Sequence, residues 1–144
     1  GPNPYVVHEE LQDLLNEGVN IVRNREGLEK AVANIATLKP QAETAKAHGS
    51  SQYNPGWHEA ISLGPLFLTA EAVARAALVR EESRGAHTRL DFPGEQEEWQ
   101  EVHVVVRKGQ EGSMEVLKEA TADAPDELSK IARSTLEELE GAQE

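Results

Sequence analysis

Residues 77 to 93 read ALVREESRGAHTRLDFP, an apolar helical run that passes directly into a knot of charged groups and then stops. Arg80, Glu81, Glu82, Arg84, His87, Arg89 and Asp91 crowd into a dozen residues, and Gly85 stands where a helix needs a left-handed residue to end. Upstream, Pro65 to Ser83 spreads Leu66, Phe67, Leu68, Ala70, Val73, Ala74, Ala77 and Leu78 around nearly the whole helical circumference. That distribution predicts a central, buried helix. Glu71 and Arg75 stand in the favourable i,i+4 order on it, a pair worth about 0.3 to 0.5 kcal/mol.

Two further helices are written ahead of it. Asn3-Pro4 and Asn54-Pro55 are the same device, an Asn cap followed by a Pro at the first helical position, so each predicts a helix start. After the first, Val7, Leu11, Leu14, Leu15, Val19 and Val22 form one apolar face, with Gly18 offering close helix packing. Asn24 caps a second helix with Leu28, Val32, Ile35 and Leu38 as its buried stripe, which Pro40 ends or bends. The two should lie antiparallel about the short joint at residues 23 to 26.

Beyond Asp91-Phe92-Pro93-Gly94 the periodicity shortens. Residues 101 to 107 are β-branched and largely apolar, residues 108 to 112 are turn-like, and residues 114 to 118 can return as a partner strand. A lone hairpin is marginal in water, so it must lie on the helices or on another domain. Asp123 and Pro125 then open a short acidic helix with Leu128, Ile131, Thr135, Leu136 and Leu139 on one face.

The chain has 144 residues, enough for one domain that buries about two-thirds of its unfolded surface. Its first residues, Gly1-Pro2, fit a tag-cleavage remnant on a cloned fragment. Absence of cysteine excludes disulfides, zinc thiolates, iron-sulfur ligation and cysteine nucleophiles within the chain. No uninterrupted apolar run approaches the ~20 residues of a membrane span and there is no signal-peptide pattern, so a soluble intracellular domain without direct membrane insertion is expected. Of the formal net charge of -12, residues 91 to 144 carry -10, with 15 Asp+Glu against 5 Lys+Arg. Such a surface repels phosphate backbones, so nucleic acid is not an expected partner.

Most candidate chemistry has a plainer reading. His8-Glu9-Glu10 lacks the second His of a zinc motif and fits a solvated first turn. The glycines form neither G-x-G-x-x-G nor a Walker loop, so no dinucleotide or nucleotide phosphate cradle is encoded and no cofactor-binding residue is assigned; nor is any catalytic or metal residue, each constellation having a plainer reading. Ser83 near His87 lacks the strand-to-helix elbow and orienting acid of a hydrolase, and His103 reads as an outward strand residue. Trp57 and His58, just inside the second Asn-Pro cap, read as a capped turn anchored by an aromatic. For Arg84, His87, Arg89 and Asp91 two readings stand: a helix terminus with local salt bridges, or an interdomain contact making charge-assisted hydrogen bonds to a neighbouring surface.

The run Arg80, Glu82-Ser83-Arg84-Gly85, His87, Arg89, Asp91 resembles the one that closes the main helix in the carboxy-terminal helical domain of succinate dehydrogenase and fumarate reductase flavoprotein subunits. Asn54-Pro55-Gly56-Trp57-His58 and the opening Asn3-Pro4-Tyr5 are similarly placed in that family, and the likeness spans residues 3 to 108. It implies a mainly α fold: a three-helix bundle, spectrin-repeat-like and up-down-up, followed by a short β-hairpin and a C-terminal helix. Residues 1 to 120 would be the flavoprotein domain with its strand extension, and residues 121 to 144 an acidic tail.

The resemblance further implies FAD in the full-length protein but none in this fragment, and succinate-fumarate oxidoreduction by the whole. Its partners would be the flavin-binding domain of the same chain and an iron-sulfur subunit, at the cytoplasmic face of a membrane. Arg80, Arg84, His87, Arg89, Asp91, Trp57 and His58 would make the interdomain contact. The competing expectation is a stand-alone acidic helical interaction module.

Overall fold

The computed structural model describes residues 1–141. Three helices, α1 (Pro4–Gly18), α2 (Arg25–Thr44) and α3 (Pro55–Val79), pack pairwise as an up-down-up bundle. Each begins on an asparagine: Asn3 Oδ1 accepts from Tyr5 N at 3.0 Å, Asn24 Oδ1 from Gly27 N at 2.7 Å and Asn54 Oδ1 from Trp57 N at 3.3 Å. Val7 and Leu11 of α1, Leu28, Ala31, Ile35 and Leu38 of α2, and Leu63, Phe67, Ala70, Ala74 and Ala77 of α3 form the core.

Gly18 sits where α1 meets α2. A Cβ placed there would lie 2.7 Å from the Gly27 carbonyl oxygen and 2.9 Å from Ala31 Cβ, and backbone cannot retreat cheaply. Gly18→Ala is therefore expected to destabilise the chain by about 1 to 3 kcal/mol through overpacking, measured as a lower urea midpoint.

Several sequence expectations need correction. Pro40 does not end α2, which continues to Thr44, and the apolar run from Pro65 is the later part of α3, which starts at Pro55 as the Asn54-Pro55 cap predicts and carries Pro65 inside it. Both prolines lie on the exposed side, and in each helix a threonine one turn on, Thr44 or Thr69, donates its hydroxyl to the proline carbonyl at 2.9 Å. Helix α3 ends at Val79, not Ser83, and Gly85, at φ 58, serves the tight turn in which Arg84 and His87 exchange backbone hydrogen bonds. Nor is α3 buried all round, since Ile61, Leu68 and Val73 face outward. By length and composition alone it would pass for a membrane span, although its inner face is committed to the bundle.

Val22 leaves the α1 face to join β1 (Val22–Arg23), which pairs in parallel with β2 (Thr88–Arg89). After a 3-10 turn at Glu97–Trp99, strands β3 (Val102–Lys108) and β4 (Met114–Ala120) form an antiparallel hairpin that leans on α3. The expected single C-terminal helix is two, α4 (Asp126–Arg133) and α5 (Leu136–Gly141). Thr135 and Glu138 form a capping box between them, the Thr135 amide reaching the Glu138 carboxylate at 2.8 Å, and this restarts the helix. Leu128, Ile131, Leu136 and Leu139 stay exposed.

Candidate functional site

The charged run after α3 folds into two linked clasps. In the first, Arg89 is completely buried although cationic. Its Nε and Nη2 grip Asp91 through both carboxylate oxygens, at 2.9 and 2.8 Å. Its Nη1 donates to the carbonyls of Ala77, Leu78 and Arg80 at 3.0, 3.1 and 3.3 Å, the groups a helix end leaves unpaired. The Phe92 ring lies 5.0 Å from the guanidinium. A side chain from β2 thus terminates α3, which explains why the helix stops before the charged run begins.

Hydrogen bonding from Arg89 holds the Asp91 carboxyl at about 2, against the opposing effect of burial. Asp91 also accepts from the Arg25 amide at 3.1 Å, which fastens the start of α2 to the same point.

In the second clasp Glu82 is the buried partner. Burial alone would raise its carboxyl, but hydrogen bonds from Arg84, the Gln96 amide and Arg80 hold it down at about 2. Arg80 Nε and Arg84 Nε both reach Oε1 at 2.9 Å, and Gln96 N reaches Oε2 at 2.9 Å. Arg80 also donates to the Trp99 carbonyl at 3.1 Å and lies over the indole, as does Lys118 from β4. The clasp therefore ties the end of α3 to the root of the hairpin.

His87 joins the clasps to β1. Its Nδ1 lies 2.8 Å from Arg23 Nη1, and a guanidinium only donates, so the ring proton rests on Nε2 facing the Arg80 carbonyl at 2.9 Å. Burial, with the nearby charges of Arg23, Arg89 and Arg80, lowers the His87 value below its usual one. Its contribution to stability is then complete above the unfolded value of about 6.5 and is lost as pH falls through the lower folded value. Melting temperature should fall as pH drops from 7 toward 5, and His87→Gln should flatten that slope.

Ser83 is 2.9 Å from the Phe92 carbonyl and accepts from Arg89 N at 2.8 Å, while His87 is occupied by Arg23 and Arg80. No nucleophile-base pair results.

Arg80, Arg84, His87, Arg89 and Asp91 are thus brought together, whereas Trp57 and His58 are not. They lie at the other end of α3, about 34 Å along the helix axis from Arg80 at 1.5 Å per residue, with rings edge-to-face at 5.2 Å. His8 pairs with Glu59 of α3, and His103 stands exposed on β3 opposite Glu119. Among the described residues there is no group of three or more His, Cys, Asp or Glu side chains able to hold a metal.

Trp99, Arg23 and Arg25, which the sequence did not mark out, also belong to the clasps. A lone tryptophan between acidic residues, 99 in EEWQE, was the available signal for the first. For the arginines there was none, because His87 and Asp91, which they meet through the Arg23 guanidinium and the Arg25 amide, are more than sixty residues away.

Comparison with known proteins follows the same outline. The sequence family described as "Fumarate reductase flavoprotein C-term" matches residues 8–133. In Methanothermobacter marburgensis, one polypeptide of the CoM/CoB fumarate reductase is 37% identical over 105 residues, 73% of this chain and 19% of that protein. An uncharacterized FAD-dependent oxidoreductase of Methanocaldococcus jannaschii is 35% identical over 97 residues, 67% of this chain and 17% of that protein. Among solved structures, Mycobacterium smegmatis Sdh1 in complex with UQ1 superimposes with a TM-score of 0.84 at 33% identity, over 96% of this chain and 24% of that one. The chain thus spans about a fifth of the length of the curated relatives it matches.

Proposed function

The chain belongs to the family of fumarate reductase flavoprotein C-terminal domains, and from that membership we propose that it is the helical scaffold of an FAD-dependent flavoprotein that interconverts succinate and fumarate. The reaction itself belongs to the remainder of such a protein. The observation that carries this reading is the commitment of the charged run to internal clasps: its arginines, carboxylates and imidazole fasten one another and leave no free acid-base pair. A rigid end to α3 is what such a run supplies.

In this reading FAD sits in the full-length protein, the partners are the flavin-binding domain of the same polypeptide and an iron-sulfur subunit, and the assembly lies on the cytoplasmic side of a membrane. Residues 1 to 120 are the domain proper and residues 121 to 144 its acidic appendage. Arg80, Arg84, His87, Arg89 and Asp91 serve one interdomain contact from beneath: fastened to one another, they hold in place the surface that would meet the neighbouring domain, the exposed tip Gly85-Ala86 with the outward Ile21, Val22 and Leu90 around it. Trp57 and His58 belong to a separate contact at the far end of α3.

The test is expression of the full-length protein. It should carry bound flavin and reduce fumarate with a low-potential dye; a full-length chain without flavin sinks the reading. An independent interaction module would instead retain neither flavin nor dicarboxylate turnover.

A further inference from the structure

Between Trp57 and Thr69 the sole Asp, Glu, Lys or Arg in α3 is Glu59, and it is turned inward to His8 of α1. What α3 shows outward over that stretch is a margin of His58, Ser62 and Thr69 and, beside it, a strip of Trp57, Ile61, Gly64, Pro65 and Leu68 with no Asp, Glu, Lys or Arg, in a chain whose formal net charge is -12. Trp57, Ile61 and Leu68 are 41%, 55% and 60% exposed, so the bundle's own core does not use them. At helical spacing of about 100° per residue they fall on one face, about 17 Å long at 1.5 Å per residue. Gly64 lies between Ile61 and Leu68, and a Cβ built there would meet nothing within 4 Å. The strip is therefore notched, with bare backbone at its centre and bulky shoulders on either side.

We propose that this strip is the main docking face of the domain, and that its occupant is an uncharged, apolar surface of the remaining flavoprotein polypeptide that places a side chain in the Gly64 notch. The proposal rests on the reading of the chain as a flavoprotein C-terminal domain. In Mycobacterium smegmatis Sdh1, superimposing at a TM-score of 0.84, this fold is 24% of a longer chain, so most of that polypeptide lies outside it. An exposed tryptophan on a patch without Asp, Glu, Lys or Arg suits a protein-protein contact, whose buried centre is enriched in aromatic residues and depleted of charged ones. Absence of charge matters equally, because each carboxylate on such a face would have to be desolvated on docking.

The experiment uses the full-length holoprotein. Ile61→Asp with Leu68→Asp puts two charges on the strip, while Gly64→Leu fills the notch from a Cβ position that meets nothing of the domain within 4 Å. Each should raise the rate of limited proteolysis between this domain and the rest of the chain, and the hydroxyl-radical oxidation of Trp57, by about tenfold, the factor that corresponds to 1.4 kcal/mol. Leu136→Asp, at a position 70% exposed on α5, is the control and should change neither. Wild-type rates in both strip variants of a flavin-loaded protein overturn the docking face and leave the parent reading intact. Absence of flavin from the wild type instead overturns the parent reading. Loss of binding to phosphatidylcholine vesicles, or conversion of a dimer to a monomer, with unchanged proteolysis, assigns the strip to a lipid surface or a second copy and also overturns the proposal.

Discussion

Arg89→Ala should be the most damaging single substitution in the chain, lowering stability by about 3 to 5 kcal/mol, the usual result of removing one partner of a buried ion pair. Arg89 is fully buried, and its loss strands the Asp91 carboxylate together with the carbonyls of Ala77, Leu78 and Arg80. A deficit of that size is a large part of the roughly 5 to 15 kcal/mol that holds a domain folded. Arg89→Lys should recover little, because one ammonium cannot fork to a carboxylate and also span three carbonyls. Urea unfolding reads the loss, and amide exchange should show it concentrated in the last turn of α3. A midpoint within about 1 kcal/mol of wild type would mean that the clasp is dispensable.

Glu82→Gln is expected to rank second, at about 2 to 4 kcal/mol, since it keeps the side-chain shape but leaves two guanidiniums facing a neutral amide. The effect is smaller because Arg80 and Arg84 retain partial solvent access, with 22% and 30% of their side-chain surface exposed. Its pH signature is specific. The Glu82 carboxyl is depressed to about 2, below its unfolded value, so its stabilisation is present above that unfolded value and disappears as pH falls through the folded one. Acid unfolding of Glu82→Gln should accordingly be shallower below pH 4 than that of the wild type. Identical acid limbs would remove Glu82 from the account.

Much of the bundle could be read from sequence because its signals are local. Asn3, Asn24 and Asn54 cap within three residues, and the apolar spacing of α1 and α2 names most of what those two helices bury, Val7, Leu11, Val19, Leu28, Ile35 and Leu38. The hairpin likewise followed from a β-branched, largely apolar run before a turn. The end of α3 was misplaced for the opposite reason. Its terminator is Arg89, which is ten residues beyond Val79 and returns to the helix only once β1 and β2 have paired.

Periodicity also overstated the burial of α3, since an apolar residue that faces a missing neighbour has the same letter as one in the core. Ile61 and Leu68 belong to the first kind, Leu63 and Phe67 to the second. In the charged run the residue types were legible but their pairing was not. Nothing in the spacing distinguishes Glu82, buried under two arginines, from Glu81, which reaches out to Arg25.

The pairing of Val22 with Thr88 has a kinetic corollary. It is a contact between positions far apart in sequence that rewards the chain with only a few hydrogen bonds, so the ladder cannot nucleate the structure and must close after the helices have collapsed. Refolding should therefore be staggered from residue to residue, with helical amides protected early and the amides of Thr88 and Leu90 last. The same order means that this junction opens before the three-helix bundle does.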